Sequence, residues 1–257
     1  MKKLLFLLLL TPMFFIGCKE EQPEEQETLI TDIELQEYAS VYCNDSIIIP
    51  IKANADYTLE YNPIHISATK GQNNIKIKGI IIGSTDLIIK SNSQSKSCKI
   101  DVRGIYNVYK EPLFFFGEIG NYIMNYETRT LLRADEGMLL YEGENSNIYR
   151  CIYMLENSYL KSCITTHSLT SVNVPKQLAE RYVPITYQDG IYLFASPNGE
   201  MGVAVEITAD GVVILYMPTP NTSKSTNDLI MQSKKILDKY KNIHYDNNPT
   251  PNIIRFL

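Results

Sequence analysis

Residues 147–165, NIYRCIYMLENSYLKSCIT, decide the fold of the second half of this chain. Two stretches rich in isoleucine and tyrosine, 147–155 and 159–164, are separated by the polar triplet Glu-Asn-Ser at 156–158. Strand-forming residues on both sides of a short turn segment predict a β-hairpin.

The length of the hairpin loop decides which cysteines lie opposite each other. With a three-residue loop, counting outward places Cys151 opposite Cys163, and opposed Cβ atoms about 4.5–5.5 Å apart suit a disulfide. We therefore predict a Cys151–Cys163 disulfide, and Cys43–Cys98 follows by elimination. A two-residue loop would lose this pairing, and in that alternative all four cysteines pack as small apolar thiols.

Two helices and several strands surround the hairpin. A helix is predicted at 118–128 with Ile119, Ile123 and Tyr126 on one face. A second is predicted at 175–182, with a proline in its first turn and Leu178, Ala179 and Tyr182 as its apolar stripe. Further strands are predicted at 130–133, 138–142, 190–195, 202–208 and 212–217. Residues 105–218 are therefore predicted to form an α+β domain with an antiparallel sheet.

The first half of the chain is a series of short strand signals. Turn residues separate β-branched or alternating segments at intervals of about 8–12 residues, which predicts a β-sandwich over 28–104. The predicted strands are 45–51, 56–61, 74–78, 85–90 and 97–103.

Three of these segments, IKIKG at 75–79, GSTDLII at 83–89 and CKIDV at 98–102, resemble in their order bacterial immunoglobulin-like domains. The resemblance implies an immunoglobulin-like sandwich that acts as a spacer or an adhesion module.

The layout of 105–218 resembles uncharacterised C-terminal domains of Bacteroidota lipoproteins. That resemblance implies a fold and no particular chemistry. The residues that carry it are Phe116-Gly117, Tyr141-Glu142-Gly143, Tyr153, Leu160 and Glu180-Arg181-Tyr182.

The first 18 residues predict export and lipid attachment. Lys2 and Lys3 precede an apolar run at 4–16, which is the pattern of a secretory signal and is too short to span a bilayer comfortably. The tetrapeptide Phe-Ile-Gly-Cys that ends at Cys18 resembles a bacterial lipobox, although phenylalanine stands where leucine is usual. The resemblance implies cleavage after residue 17 and a lipid on Cys18. The alternative is an ordinary secreted protein with a leftover cysteine.

Residues 19–27, KEEQPEEQE, contain five glutamates and no aliphatic residue. Such a segment buries too little apolar surface to offset its ordering entropy, so we predict a solvated tether over 18–27. Its start resembles the acidic export signal of Bacteroidota surface lipoproteins, while the alternative is a generic acidic linker.

The C-terminal part, 219–257, is predicted to contain a linker, an amphipathic helix and a frayed tail. The helix is predicted at 226–241, with Ser225 or Thr226 as its cap. Its apolar face comprises Leu229, Ile230, Ile236, Leu237 and Tyr240.

Charge and cysteine count limit the partners and the compartment. The formal net charge of −5 argues against nucleic acid, because phosphate binding needs a concentrated basic face. If Cys18 carries lipid, four cysteines remain, and an even number fits an oxidising compartment.

We predict no enzyme, metal site or cofactor. His65, His167 and His244 accompany no nucleophile motif, and no cluster has zinc-ligand spacing. Pairs of acids such as Glu142 with Glu144 and Asp135 with Glu136 fall in predicted turns, where acids are common.

Tyrosines offer the best binding candidates. The chain has 18 tyrosines and no tryptophan, and Tyr182, Tyr187 and Tyr192 fall close together in the sequence. Tyrosine is enriched at interfaces, but ordinary sheet packing is the alternative. The sequence thus predicts an outer-membrane, cell-surface lipoprotein with a non-catalytic role in binding, adhesion or assembly, and an envelope protein or a glycan as its partner. The alternatives are an oligosaccharide-binding accessory of nutrient uptake and a hydrolase with dispersed catalytic residues.

Overall fold

The computed structural model describes residues 33–53, 56–91, 94–219 and 225–246, with backbone only from 242 onward. The predicted signal peptide, the lipidated Cys18, the acidic tether and the C-terminal tail lie outside the described residues.

The first half of the chain forms two sheets that enclose an apolar core. The four-stranded sheet has the order β1-β7-β6-β3 and the three-stranded sheet the order β2-β5-β4. Neighbouring strands are antiparallel except for β1 and β7, which are parallel. The strands are β1 Tyr38–Tyr42, β2 Ser46–Pro50, β3 Thr58–Glu60, β4 Ile66–Lys70, β5 Asn74–Gly79, β6 Gly83–Lys90 and β7 Ser95–Arg103.

Alternating residues place one face of each sheet in this core. On β5, Ile75 and Ile77 are fully buried while Lys76 and Lys78 are exposed. The arrangement is consistent with the predicted β-sandwich. Its other buried residues include Ile49, Ile66, Leu87, Ile89, Ile100 and the thiols of Cys43 and Cys98.

The second half forms an eight-stranded antiparallel sheet with the order β12-β13-β14-β15-β11-β10-β9-β8. Three helices accompany it: α1 Gly120–Tyr126, α2 Val174–Arg181 and α3 Thr226–Asp246. The strands are β8 Leu131–Asp135, β9 Met138–Asn145, β10 Ile148–Glu156, β11 Tyr159–His167, β12 Val183–Gln188, β13 Ile191–Ala195, β14 Met201–Thr208 and β15 Gly211–Pro218.

Both faces of this sheet are buried at its centre. One face, here called the tyrosine face, carries Tyr141, Tyr153 and Tyr216, and it is covered by residues 105–116, α1 and α2. The opposite aliphatic face is covered by α3, whose Leu229, Ile230, Leu237 and Tyr240 pack on it. The predicted C-terminal helix and its apolar face are therefore confirmed, and the helix docks on its own sheet.

The hairpin exists, but its predicted register is wrong. Glu156 pairs with Tyr159 across a two-residue turn in which Asn157 and Ser158 have φ values of 53° and 68°. Positive φ at both central residues is the mark of the turn whose twist matches a hairpin. A register shift follows between Met154 and Leu155.

As a result, the predicted Cys151–Cys163 opposition does not occur. Cys151 lies opposite Thr165, and Cys163 lies opposite Tyr153. The four cysteines within the described ranges, Cys43, Cys98, Cys151 and Cys163, are free and buried. Burial raises the pKa of the Cys43 thiol to about 11 and that of Cys151 to about 12. The Cys43–Cys98 disulfide was predicted only by elimination from the first pair, so that prediction is wrong as well. The alternative, in which all four cysteines pack as small apolar thiols, agrees with their burial.

The faces predicted for the first two helices are partly wrong. Of the face predicted for α1 only Ile123 is buried, whereas Ile119 precedes the helix and is exposed, as is Tyr126. In α2 Leu178 is buried, but Ala179 is exposed and the polar Gln177 and Glu180 are buried instead.

Gln177 and Glu180 are buried because they hold the backbone of residues 105–109. The Gln177 side chain bonds the backbone of Val108 and Tyr109, and the Glu180 carboxylate accepts the N–H groups of Ile105 and Tyr106. The carbonyl of Glu180 also accepts the Ile82 N–H at 2.8 Å, which joins α2 directly to the first half of the chain.

Among the described residues, none of the helices has both the length and the apolar character needed to cross a bilayer.

Docking of α3 predicts a stability difference between two of its apolar residues. Leu237 is 1% exposed and Met231 is 62% exposed. Leu237→Ala should lower the free energy of unfolding by about 2–5 kcal/mol, because it leaves a cavity against the sheet. Met231→Ala, the control, should change it by less than about 0.5 kcal/mol. Thermal unfolding measures both, and equal effects would contradict the docking of α3.

Candidate functional site

The three predicted tyrosines do not form one cluster. Tyr182 is 4% exposed and packs in the core of the tyrosine face, where its hydroxyl donates to Glu111 at 2.7 Å. Tyr187 and Tyr192 are 60% and 41% exposed, and their ring centroids lie 4.4 Å apart. They pair directly across β12 and β13. Packing in the core thus explains Tyr182, and the exposed ring pair stays a binding candidate.

A cavity of about 360 Å³ lies where α1 meets two turns of the sheet. The volume falls in the range of small-ligand sites. Its wall combines apolar and polar side chains and includes two acids, with no lysine or arginine. The lining residues are Ile119, Gly120, Asn121, Met124, Ala134, Asp135, Glu136, Leu139, Leu155 and Ser158.

Close approach at Gly120 shapes one side of this cavity. A Cβ atom at Gly120 would lie 2.9 Å from the Leu155 side chain, so a larger residue would force the Leu155 side chain or α1 to shift. The Gly120 N–H also donates to the Ser158 carbonyl at 3.0 Å. The first turn of α1 is therefore fixed against the β10–β11 turn.

The other flank of α1 carries an exposed group of aromatic rings. Tyr122 and Tyr126 are four residues apart, with ring centroids separated by 4.8 Å. Phe115 meets them edge-on at 5.3 Å and 6.0 Å. The three rings pack against one another, and Phe115 and Tyr126 are exposed, so the group forms an aromatic surface patch.

A buried ionic network anchors the end of α1. The Glu127 carboxylate accepts hydrogen bonds from the Tyr153 hydroxyl, from Arg129 and from the Thr128 N–H. Burial alone would raise the pKa of Glu127, but these hydrogen bonds outweigh it and hold that pKa below its usual value. Arg129 extends the network to Glu144 at 2.7 Å. The network therefore fixes α1 beside the cavity.

Glu111 and Tyr182 form a second buried polar group under residues 105–116. Burial raises the pKa of the Glu111 carboxyl, against the effects of the Tyr182 hydrogen bond and of Arg181. The Arg181 Nε atom lies 3.8 Å from Glu111. This group shares no cavity lining residue with the α1 site, and its hydrogen bonds explain it as part of the core.

The two histidines whose side chains are described, His65 and His167, make contacts within the fold. His167 is fully buried, with Nε2 2.8 Å from the Thr165 hydroxyl and its ring against Tyr109. His65 lies on a loop, where its Nδ1 is 3.1 Å from the Ile81 carbonyl oxygen. The side chain of His244 lies outside the described residues.

Of the four candidate acids, two line the cavity, one belongs to the ionic network and one is exposed on β9. Asp135 and Glu136 both line the cavity, and Asp135 forms an ion pair with Arg133 at 2.8 Å. Glu144 belongs to the Arg129 network, and Glu142 is exposed on β9. Within the described ranges no three His, Cys, Asp or Glu residues are grouped so as to hold a metal ion.

Sequence reasoning missed the cavity because three distant segments build it. The i, i+4 spacing of Tyr122 and Tyr126 was visible as a helical aromatic pair, and it was the one local signal near the site. No local pattern signals that Leu139 and Leu155 converge on α1.

Comparison with known proteins identifies no family. No protein-family model matches the chain, and no curated protein matches it. Among solved structures, domains 5–6 of the S-layer protein SbsC align with 75% of this chain and 88% of their own length. The identity is 11% and the TM-score is 0.23, which supports no conclusion about shared fold or function.

The buried His167 predicts a pH-dependent stability. Burial lowers the pKa of His167 to about 3, whereas an unfolded histidine titrates near 6.5. The unfolded state therefore gains a proton that the native state does not bind, and stability falls as the pH drops below about 6.5. Between pH 6.5 and 5 the expected slope reaches about 1.4 kcal/mol per pH unit.

Urea unfolding of His167→Phe tests this slope. The phenylalanine ring preserves the contact with Tyr109 but cannot take up a proton, so the slope should flatten. His65→Asn is the matched control and should keep it. An identical slope in wild type and His167→Phe would show that His167 does not carry the effect.

Proposed function

We propose that this chain is a lipid-anchored, non-catalytic binding protein of the bacterial outer membrane, exposed at the cell surface. The tetrapeptide that ends at Cys18 supports the anchor, and the acidic segment 19–27 supports a spacer between membrane and folded part. The α1 cavity carries the binding role, because its wall combines apolar depth with polar groups beside exposed aromatic rings.

We also propose that the first half of the chain is an immunoglobulin-like spacer. Seven strands in two sheets support this, as does their order. The sheet β2-β5-β4 and the run β7-β6-β3 correspond to the B-E-D and G-F-C orders of immunoglobulin domains, with the first strand joined to the second sheet.

The second half is proposed to belong to the uncharacterised α+β domains of Bacteroidota lipoproteins. Several residues that carry the resemblance have structural roles here. Tyr153 and Leu160 are core residues, and Glu180 holds the backbone at Ile105 and Tyr106.

Removing the lipidated thiol tests the anchor. Cys18→Ala should release the protein from the membrane fraction or stall it at precursor size, because alanine cannot form the thioether to lipid. Fractionation followed by immunoblotting measures both outcomes. Cys98→Ala, which removes a buried thiol, should stay in the membrane fraction. A Cys18→Ala protein of mature size that still sediments with membranes would refute the anchor.

Oligosaccharide capture is the second candidate function, and the exposed ring pair of Tyr187 and Tyr192 favours it. Aromatic faces can stack against the C–H faces of sugar rings. If the pair binds glycans, Tyr187→Ala and Tyr192→Ala should each weaken binding on a glycan array by about tenfold, a loss of about 1.4 kcal/mol.

Tyr159→Ala is the matched control, since Tyr159 is also an exposed strand tyrosine. Equal losses in all three variants, or no binding by wild type on a broad array, would remove the oligosaccharide candidate.

A further inference from the structure

Strand β8 is an outermost strand of the eight-stranded sheet, and its outer edge is open within the described part of the chain. It pairs with β9 alone, and all five of its residues are exposed. Exposed edges of this kind can accept another strand, so proteins usually protect them. The opposite edge strand, β12, contains Pro184, which has no N–H to donate, whereas β8 contains no proline.

The register shows which β8 amides face outward. The Glu142 N–H donates to the Thr130 carbonyl, so the next residue, Leu131, directs its N–H away from β9. At the other end of β8, Asp135 pairs with Met138 across a two-residue turn. The Asp135 N–H therefore faces β9, and the N–H of the preceding Ala134 faces outward. Two donors, Leu131 and Ala134, are therefore available on one edge, and the register shift between Leu131 and Arg133 sets them three residues apart.

The same strand leads into the α1 cavity. Ala134 and Asp135 of β8 and the following Glu136 form one wall. Leu139, Leu155 and Gly120, all buried, lie deeper. The interior of the cavity is therefore apolar, and the wall that β8 and Glu136 form is acidic.

Charge favours a basic occupant. Asp135 is engaged by Arg133 and by the Gly137 N–H, whereas Glu136 forms no ion pair with the described part of the chain. A lysine or arginine side chain has an aliphatic stem that suits Leu139 and Leu155 and a cation that suits Glu136. An acidic side chain would meet two carboxylates and no lining cation.

We propose that β8 accepts an extended basic peptide segment of a partner protein as an additional strand, with one lysine or arginine side chain in the α1 cavity. Backbone pairing to Leu131 and Ala134 provides the attachment, and the cavity selects the side chain. The proposal rests on the proposed binding function and names the partner class.

The test uses a fluorescein-labelled heptapeptide of alternating threonine and lysine, compared with a peptide that has glutamate in place of lysine. Fluorescence anisotropy should show the lysine peptide binding at least about tenfold more tightly, and this preference should shrink as salt is added. Glu136→Gln should weaken the lysine peptide by about fivefold to tenfold. Asp210→Asn removes one negative charge at a distant exposed turn and should leave the affinity unchanged.

Hydrogen exchange then locates the peptide. Backbone amides of Leu131 and Ala134 should gain protection in the complex. Ala134→Pro, which removes one outward donor, should weaken the lysine peptide and spare the membrane anchoring of the protein. Circular dichroism confirms that each variant is folded, and Glu136→Gln tests the cavity independently if the proline variant unfolds.

Three outcomes would overturn the proposal: no preference for the lysine peptide, equal loss with Asp210→Asn, or protection at Tyr187 and Tyr192 in place of β8. Binding of neutral oligosaccharides alone would also overturn it. These failures leave the proposed membrane anchor intact, because the Cys18→Ala fractionation tests it separately.

Discussion

Strands β10, β11 and β15 are buried on both faces, and the rest of the second half is arranged to cover them. Ile152, Ile164 and Leu215 point to the aliphatic face, while Tyr153 and Tyr216 point to the other. A single helix, α3, suffices for the aliphatic face. The tyrosine face carries hydroxyl groups that need partners, so its cover contains polar residues such as Glu127 and Glu111. The buried ionic network beside α1 follows from this requirement, and the network in turn fixes the helix that borders the cavity.

Alternation of apolar residues was sufficient to predict most strands and the amphipathic face of α3. It failed where contacts from outside the element decide the outcome. Gln177 and Glu180 are buried on α2 because they bind the backbone of residues 105–109, which no periodicity reveals. The hairpin register depended on whether Asn157 and Ser158 both adopt positive φ. A difference of one residue in the loop, followed by a register shift, was enough to separate Cys151 from Cys163.

The candidate sites were less predictable than the fold. Tyr182 and Tyr187 are five residues apart, yet one packs in the core and the other is solvent-exposed, because the chain passes from the end of α2 into an edge strand. No pattern in the sequence distinguishes the acid pair Asp135 and Glu136 from other acids in turns. The pair becomes part of a candidate site because Leu139, Leu155 and α1 lie beside it and form a cavity. Sites built by distant segments depend on tertiary packing, which local patterns do not encode.

The parallel pairing of β1 with β7 has a mechanical consequence. If the chain is held at its N-terminus while a ligand pulls on the second half, tension enters at the start of β1 and leaves at the end of β7 through Gly104. These two points lie at opposite ends of a parallel pair. The load therefore runs along the strands, and the hydrogen bonds between them share it in shear instead of opening one after another. Beyond Gly104 the load reaches the Glu180 contacts, which bind both the connecting backbone and Ile82. The hydrogen bonds of Glu180 to Ile82, Ile105 and Tyr106 therefore transmit tension between the two halves of the chain.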